Sequence, residues 1–255
     1  MKSILSVLIA VSFFSCAPQK TTAEKSTDYK VKLDTLTFFD LGRNRKIPVA
    51  FYNPETGKKI ANQQIIIFNH GYGFNKGGDY LVYSYLTEKL ASKGYFTVSI
   101  QHELTTDNLL PTEGNLQIVR RPFWQNGSDN ILFVLNELKK TKPELDYQHL
   151  TLIGHSNGGD MAALFANQHP DMVYQLITMD NRRMFLPRTS FPKVYTLRSN
   201  DYPADEGVLP SEEEQKKYHI TVQPTLINHG HMDNKGTGEE KKMLTDFILK
   251  YLSDH

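Results

Sequence analysis

Residues 151–166 read TLIGHSNGGDMAALFA and place a serine on a glycine-rich turn between two different kinds of segment. Before the turn, residues 150–153 form an apolar run typical of a buried strand, and residues 161–167 after it have a helical pattern. The turn, residues 154–158, has the form G-x-S-x-G. Between a strand and a helix, this pattern predicts that Ser156 is a nucleophile with strained dihedrals and a hydroxyl clear of the sheet.

The glycines around Ser156 have a physical role in this prediction. Gly154 and Gly158 keep side chains out of a crowded turn, and Gly159 gives the following helix room to pack closely. The N-terminus of that helix favours negative charge that develops near the serine. A tight turn without activity would use glycine in the same way, so the reactive partners of Ser156 must be sought elsewhere in the chain.

Apolar runs and helical periods alternate along the chain. We predict strands at residues 31–39, 47–52, 65–69, 96–101, 150–153, 173–179, 194–197 and 225–228. We predict helices at residues 80–92, 129–140, 161–167 and 239–252, the second capped by Ser128, and an irregular stretch at residues 102–127. This order indicates an α/β fold with a mainly parallel sheet and helices on both faces. The first two strands, with no helix between them, should pair antiparallel at one edge, and reactive groups should gather at the carboxyl ends of the parallel strands.

The length and the charge of the chain limit its function classes. A chain of 255 residues is long enough for one hydrophobic core and short for two domains. The formal net charge is +1, so the overall balance gives no attraction to nucleic acid.

The N-terminus predicts export and a lipid anchor. Lys2 is followed by an apolar run, residues 4–14, that is too short to span a bilayer, and the only cysteine of the chain, Cys16, comes directly after Ser15. Residues 13–16 resemble a bacterial lipobox, which implies a signal peptide at 1–15, a lipidated Cys16 with a polar tether at 16–30, and a catalytic domain at 31–255. The protein would then be anchored by lipid in the bacterial cell envelope, with no intrachain disulfide. An ordinary secretory signal with an incidental cysteine is the alternative.

Two further segments offer partners for Ser156. The predicted strand at 65–69 runs into His70-Gly71-Tyr72-Gly73, whose glycines allow the backbone N–H of Tyr72 to form an oxyanion hole with the N–H of Asn157. His70 is then expected to be a structural hydrogen-bonding residue.

A pair of histidines follows the last predicted strand. We predict that His231 is the general base, because His229 lies closer to the strand end and is expected to pack there; His229 is the alternative.

The order of serine, acid and histidine identifies the chain as a member of the α/β-hydrolase superfamily, and it resembles the dienelactone hydrolase and platelet-activating-factor acetylhydrolase-like branch. The stretches that carry this resemblance are DLGRNRKIPVAFYNP, FNHGYGFN, YLTEKLASKGYFTVSIQHE, and RRP before DNILFVLNEL. The resemblance implies a serine esterase with an acyl-enzyme intermediate and no cofactor. One departure is that Met-Asp-Asn follows His231, where many relatives carry an aromatic residue.

Three aspartates could complete a catalytic triad. Asp201 follows the strand at 194–197, which is the usual position of the acid in the superfamily, and we favour it. Asp180 follows the preceding strand, which resembles the acetylhydrolases, and Asp205 lies four residues beyond Asp201. The two that are not the acid should form salt bridges with nearby arginines.

Two other functions compete with this interpretation. His229-x-His231-x-Asp233 matches most of a zinc-hydrolase motif, although Asn234 stands where a further histidine is needed. A non-catalytic binding lipoprotein of the same fold is the other candidate, but it would need neither the serine nor the oxyanion loop.

The expected site is open and has an aromatic border. Only a short stretch separates the strands at 173–179 and 194–197, which leaves no room for an inserted cap domain. Trp124, Tyr202 and Phe74 are the predicted substrate-binding residues. They suit a small-molecule or polymer-linked ester, and we predict no metal and no other cofactor.

Overall fold

The structure, a computed structural model, describes residues 28–254. The predicted signal peptide, Cys16 and most of the predicted tether lie outside these residues. The eight strands of the described part form one sheet: β1 Lys30–Asp40, β2 Arg45–Glu55, β3 Gln64–Asn69, β4 Phe96–Ile100, β5 Asp146–His155, β6 Gln175–Met179, β7 Lys193–Arg198 and β8 Thr221–Pro224.

The sheet has the order β1-β2-β4-β3-β5-β6-β7-β8. Strand β2 pairs antiparallel with both β1 and β4, and the remaining neighbours are parallel. The predicted antiparallel pair at one edge is therefore confirmed. The parallel arrangement brings the carboxyl ends of β3, β5, β6 and β7 to the same edge of the sheet.

Both faces of the sheet are covered, as the continuous apolar strands predict. In β3, Ile65 and Ile67 belong to the cluster under one layer of helices, and Ile66 and Phe68 to the cluster under the other. Successive side chains of a strand point to opposite faces, so an uninterrupted apolar run requires cover on both sides. The sequence prediction of the α/β-hydrolase fold class is confirmed.

The helices form two layers. The bounds are α1 Ser84–Ser92, α2 Leu116–Val119, α3 Arg121–Thr141, α4 Ser156–Gln168, α5 Glu212–Tyr218 and α6 Gly238–Ser253. Apolar residues of α3 and α4 lie in the cluster on one face, and those of α1 and α6 in the cluster on the other. Helix α5 was not predicted, although Ser211 and Glu214 form a capping box at its start, which is a recognisable sequence signal.

The prediction that residues 102–127 are irregular is wrong for their second half. Helix α3 begins at Arg121, and Ser128, the predicted cap, lies inside it and donates a hydrogen bond to Gln168. Within α3, Gly127 allows close packing against a neighbouring helix. A Cβ at this position would lie 2.3 Å from the sulfur atom of Met161 on α4.

The last strand begins and ends earlier than predicted. Strand β8 is Thr221–Pro224, and residues 225–228 form the loop that follows it. Pro224 closes the strand, and the N–H of Thr225 donates to the carbonyl of Arg198. Because β8 ends at Pro224, the loop that leads to His229 is longer than predicted.

The domain begins slightly before the predicted boundary. Asp28 forms ion pairs with Lys89 and Lys93 of the α1 region, and the N–H of Tyr29 donates to the carbonyl of Ser92. Residues 28–30, predicted as the end of the tether, are thus attached to the fold. Within residues 28–254, no helix has both the length and the apolar character needed to cross a membrane. The connection between β6 and β7, residues 180–192, contains no inserted domain, as predicted.

Candidate active site

Ser156 stands at a sharp turn between β5 and α4, as the G-x-S-x-G pattern predicts. Its φ is +51°, in the left-handed region that is costly for a residue with a side chain. The glycines make this turn possible. A Cβ on Gly158 would lie 2.3 Å from the carbonyl oxygens of Asn69 and His70, and one on Gly154 would lie 2.5 Å from the carbonyl oxygen of Gly158.

His229, and not His231, lies against Ser156. The Nε2 atom of His229 is 3.0 Å from the Ser156 Oγ, within hydrogen-bond distance. His231 instead forms a contact of 3.0 Å between its Nδ1 and Glu240 on α6. The prediction that His231 is the histidine beside the serine is therefore wrong. Residues 229–231 form one turn of 3₁₀ helix, in which residues two apart point to different sides.

Asp180 is the carboxylate that meets this histidine. Its Oδ2 is 2.6 Å from the Nδ1 of His229, so the Nδ1–H donates to the carboxylate and the Nε2 is left to accept the proton of the serine hydroxyl. The other oxygen accepts from the N–H of Ser199 at 3.0 Å and pairs with Arg198 at 2.9 Å. Burial by itself would raise the pKa of Asp180, but the hydrogen bonds from His229 and Ser199 and the charge of Arg198 outweigh it, so the pKa lies below its ordinary value.

Asp201 and Asp205 have other contacts, so the expectation that Asp201 meets the ring of the histidine is wrong. Asp201 is exposed, and its Oδ1 accepts a hydrogen bond of 2.7 Å from the backbone N–H of His229 rather than from the imidazole ring. Asp205 lies 3.8 Å from Arg183, which agrees with the salt bridge expected if this aspartate is not the partner of the histidine.

The three side chains of the HxHxD segment do not converge. His229 faces Ser156 and Asp180, His231 faces Glu240, and Asp233 pairs with Lys235 at 3.1 Å. This arrangement contradicts the alternative in which the three residues bind one zinc ion.

The loop after β3 is held in place by His70, which is buried. The N–H of His102 donates to the Nε2 of His70 at 3.0 Å, so the Nδ1 carries the proton and donates to the carbonyl of Gly71 at 2.8 Å. Burial lowers the pKa of His70, in agreement with a neutral ring. In the trans peptide that links Gly71 to Tyr72, the N–H points opposite to the carbonyl, so this contact turns the Tyr72 N–H away from His70.

The side chain of Asn157 is fixed between two buried residues. Its Oδ1 accepts from the indole N–H of Trp124 at 2.9 Å, and its Nδ2 donates to the Oε1 of Glu103 at 2.7 Å. Trp124 is only 1% exposed, so it cannot line an open site as predicted. Its large apolar surface packs in the core while its single polar atom reaches Asn157, as is usual for a buried tryptophan.

The turn at residues 154–158, the elbow that carries Ser156, is also tied to the loop after β3 by Tyr83. The hydroxyl of Tyr83 accepts from the N–H of Gly71 at 3.0 Å, so it donates its own proton to the Nδ1 of His155 at 2.7 Å. Burial and the neighbouring His229 lower the pKa of His155 to about 3. His155 is therefore neutral, and an uncharged ring lies 4.7 Å from the ring of His229.

Tyr202 and Phe74 lie at the surface near the site. The ring centre of Tyr202 is 5.4 Å from that of His229. The guanidinium of Arg182 lies over the Tyr202 ring in a cation–π contact, 3.7 Å from its centre. Phe74, which is 66% exposed, packs beside Tyr72. A cleft of about 340 Å³ reaches Ser156, and its lining includes Tyr72, Asp79, Tyr83, His229, Asp233 and Lys235.

Two buried acids were missed by the sequence analysis. Asp160 on α4 accepts hydrogen bonds from the N–H groups of Arg182, Arg183 and Met184, which ties the loop after Asp180 to the helix after Ser156. Burial raises the pKa of Asp160 to about 6 and that of Glu103 to about 8. For Glu103 a signal existed, since Gln101, His102 and Glu103 follow the apolar strand β4 at its carboxyl end.

A comparison with known protein families identifies the family of this chain. The BD-FAE family matches residues 49–186, more than half of the chain. The chain belongs to the BD-FAE family. The matched segment contains β3, the elbow and Asp180, and ends before His229. A narrower assignment within the α/β-hydrolases, to the dienelactone hydrolase and acetylhydrolase-like branch, stays a prediction.

Similar proteins of known sequence or structure agree with the fold. A serine hydrolase-like protein of Mus musculus is 30% identical over 100 residues, which span 39% of this chain and 31% of the mouse protein. The esterase Est22 has a TM-score of 0.64 at 9% identity, covering 89% of this chain and 82% of its own. Brefeldin A esterase has a TM-score of 0.60 at 12% identity, covering 95% and 80%, and the esterase of Pyrobaculum calidifontis has 0.60 at 14%, covering 89% and 84%. At such identities these structures show the α/β-hydrolase fold.

Proposed function

We propose that the protein is a serine ester hydrolase with Ser156 as nucleophile, His229 as general base and Asp180 as acid. The observation that carries the proposal is the unbroken hydrogen-bond chain from Asp180 through His229 to Ser156, with distances of 2.6 and 3.0 Å. The strained φ of Ser156 supports it, because strain in an otherwise regular connection is kept where it serves a function. The similarity to several esterases is in agreement.

The chemistry follows from the positions of these groups. His229 Nε2 takes the proton from the Ser156 hydroxyl as the oxygen attacks the ester carbonyl carbon. The oxyanion accepts hydrogen bonds from the N–H groups of Tyr72 and Asn157, and the N-terminus of α4 adds favourable electrostatics. The C–O bond to the alcohol then breaks, and the alcohol leaves with the proton from His229. Water, activated by the same histidine, hydrolyses the acyl-enzyme and restores Ser156.

Asp180 and His155 make His229 suitable for this task. The carboxylate of Asp180 holds the imidazole in the tautomer with its proton on Nδ1 and stabilises the imidazolium that forms. His155 stays neutral beside it, so the ring of His155 adds no positive charge that would oppose the protonation of His229.

The surroundings of Ser156 support a broad substrate class. No domain lies between β6 and β7. Tyr72 and His229 line the cleft, and the exposed rings of Phe74 and Tyr202 pack beside these two residues. We propose that the cleft takes a small-molecule ester or one linked to a polymer.

Labelling with a fluorophosphonate probe tests the nucleophile. We expect the probe to modify Ser156, and p-nitrophenyl acetate to be hydrolysed. Ser156→Ala should abolish both, because no other described hydroxyl contacts His229 Nε2. Ser253→Ala, in an exposed serine at the end of α6, is the control and should keep both. Modification of a different serine, or full turnover by Ser156→Ala, would refute Ser156 as the nucleophile. A wild type that neither reacts with the probe nor hydrolyses the ester would refute the proposed function and favour a non-catalytic binding protein.

We further propose that the protein is anchored by lipid in the bacterial cell envelope. The support is the sequence alone: the apolar run at 4–14 and the position of Cys16 directly after Ser15. Cys16→Ser should prevent lipid attachment and leave the protein uncleaved or released from the membrane fraction, whereas Ser15→Ala should be processed normally. Mass spectrometry of the membrane fraction checks this, and an unmodified mature N-terminus in the wild type would contradict it.

A further inference from the structure

Glu103 is a buried carboxyl group that stability does not explain. Its Oε1 accepts from Asn157, but its Oε2 has no hydrogen-bond partner among residues 28–254, and the Nε2 of His70 lies 3.8 Å away. Burial raises its pKa to about 8, so the group is a neutral carboxylic acid near pH 7. A buried polar oxygen without a partner lowers stability, and acids with strongly shifted pKa values gather at functional sites.

The contacts of Asn157 leave one orientation for its amide. The indole N–H of Trp124 can only donate, so it must face the Oδ1, and the Nδ2 must face Glu103. The two anchors lie on different elements, Trp124 on α3 and Glu103 after β4. Together they prevent rotation of the side chain, and so they fix the first turn of α4, whose backbone N–H groups have no partner within the helix.

His102, which precedes Glu103, acts on the second N–H of the oxyanion hole, that of Tyr72. The N–H of His102 sets the tautomer of His70, and His70 in turn holds the carbonyl of Gly71 and so the direction of the Tyr72 N–H. Residues 102 and 103 therefore connect the carboxyl end of β4 to both donors.

We propose that Glu103 is a positioning residue of the oxyanion hole. By accepting a hydrogen bond from the side chain of Asn157, it holds the backbone N–H of Asn157 where the tetrahedral oxyanion forms. This inference rests on the ester hydrolysis proposed above. Glu103 itself touches neither the substrate nor the reacting atoms.

Two substitutions at this position separate positioning from packing. Glu103→Leu fills similar space but removes the acceptor, and it should lower kcat on p-nitrophenyl acetate by about 10–100-fold, less than the ~10²–10³-fold cost of losing a donor outright. KM should change by less than about threefold, because the contact matters in the transition state. Glu103→Gln keeps an acceptor oxygen for Asn157 and should retain kcat within about threefold of the wild type. The affinity for phenylboronic acid, which forms a tetrahedral adduct with a serine, should fall in parallel with kcat.

Gln175→Leu is the matched control. Gln175 is a buried amide at the start of β6 that donates to the carbonyl of Tyr251 at 2.8 Å, at the opposite edge of the sheet from the site. It should lower the melting temperature and leave kcat unchanged. If Glu103→Leu does not fold, Asn157→Ala removes the same hydrogen bond from its other side, together with the one from Trp124, and should lower kcat at least as much.

The outcomes distinguish this inference from the proposed function. A wild-type protein that neither hydrolyses esters nor reacts with a fluorophosphonate would refute the proposed function. An active wild type with unchanged kcat in folded Glu103→Leu, or in Asn157→Ala if the former does not fold, would overturn the role of Glu103 alone. A loss of kcat in Glu103→Gln equal to that in Glu103→Leu would also overturn it, because the acceptor would then be irrelevant.

Discussion

His229→Gln should lower kcat for ester hydrolysis by on the order of 10⁵–10⁶-fold, the loss expected when the base of a serine hydrolase is removed. The physical reason is that, among residues 28–254, His229 Nε2 is the nitrogen base that lies within hydrogen-bond distance of the Ser156 hydroxyl, at 3.0 Å. KM for p-nitrophenyl acetate and the melting temperature should change little, because the ring is partly exposed and packs beside Tyr202 at the surface. Steady-state kinetics and thermal melts check both expectations.

His231→Gln is the matched control for this substitution. The residue lies two positions away in the same 3₁₀ turn, but it faces Glu240 on α6. We expect kcat to stay at the wild-type value and the stability to fall by about 0–1 kcal/mol, as for other polar pairs at the surface. The reverse result, with His231→Gln inactive and His229→Gln active, would support the assignment made from the sequence.

Asp180→Asn should lower kcat by on the order of 10⁴-fold, because an amide in place of the carboxylate favours the wrong imidazole tautomer. It also leaves Arg198 beside a neutral group, so the loss must be measured on protein shown to be folded by thermal melts. Asp201→Asn makes a sharp control. Its amide oxygen can still accept from the backbone N–H of His229, as the carboxylate does at 2.7 Å, and so turnover should be retained.

The relative effects of Asp180→Asn and Asp201→Asn show which aspartate is the acid of the triad. If Asp201→Asn lost activity and Asp180→Asn kept it, the acid would follow β7 instead of β6. If neither lost activity, Ser156 and His229 would act without a carboxylate, and the triad would be refuted.

The sequence alone determined the features that depend on local pattern. The strand–elbow–helix unit around Ser156 is encoded within residues 150–167, because its glycines, apolar run and helical period act over neighbouring positions. The fold class followed from the alternation of apolar strands with helices. Errors arose where local signals are ambiguous: residues 121–127 were predicted to be irregular, although they form the first turns of α3, where Gly127 lets the helix pack closely against Met161.

The tertiary structure decided which histidine meets Ser156 and which aspartate meets the ring of that histidine. Residues 229 and 231 have nearly the same sequence surroundings, and the choice depends on the early end of β8 at Pro224 and on the 3₁₀ turn that separates the two rings. Asp180 follows β6 directly and points its carboxylate at the ring, whereas Asp201, three residues beyond Arg198, reaches only the backbone of His229. Which side chains meet depends on displacements of a few ångströms between segments about 50 residues apart in the sequence. A local sequence pattern contains no information about such displacements.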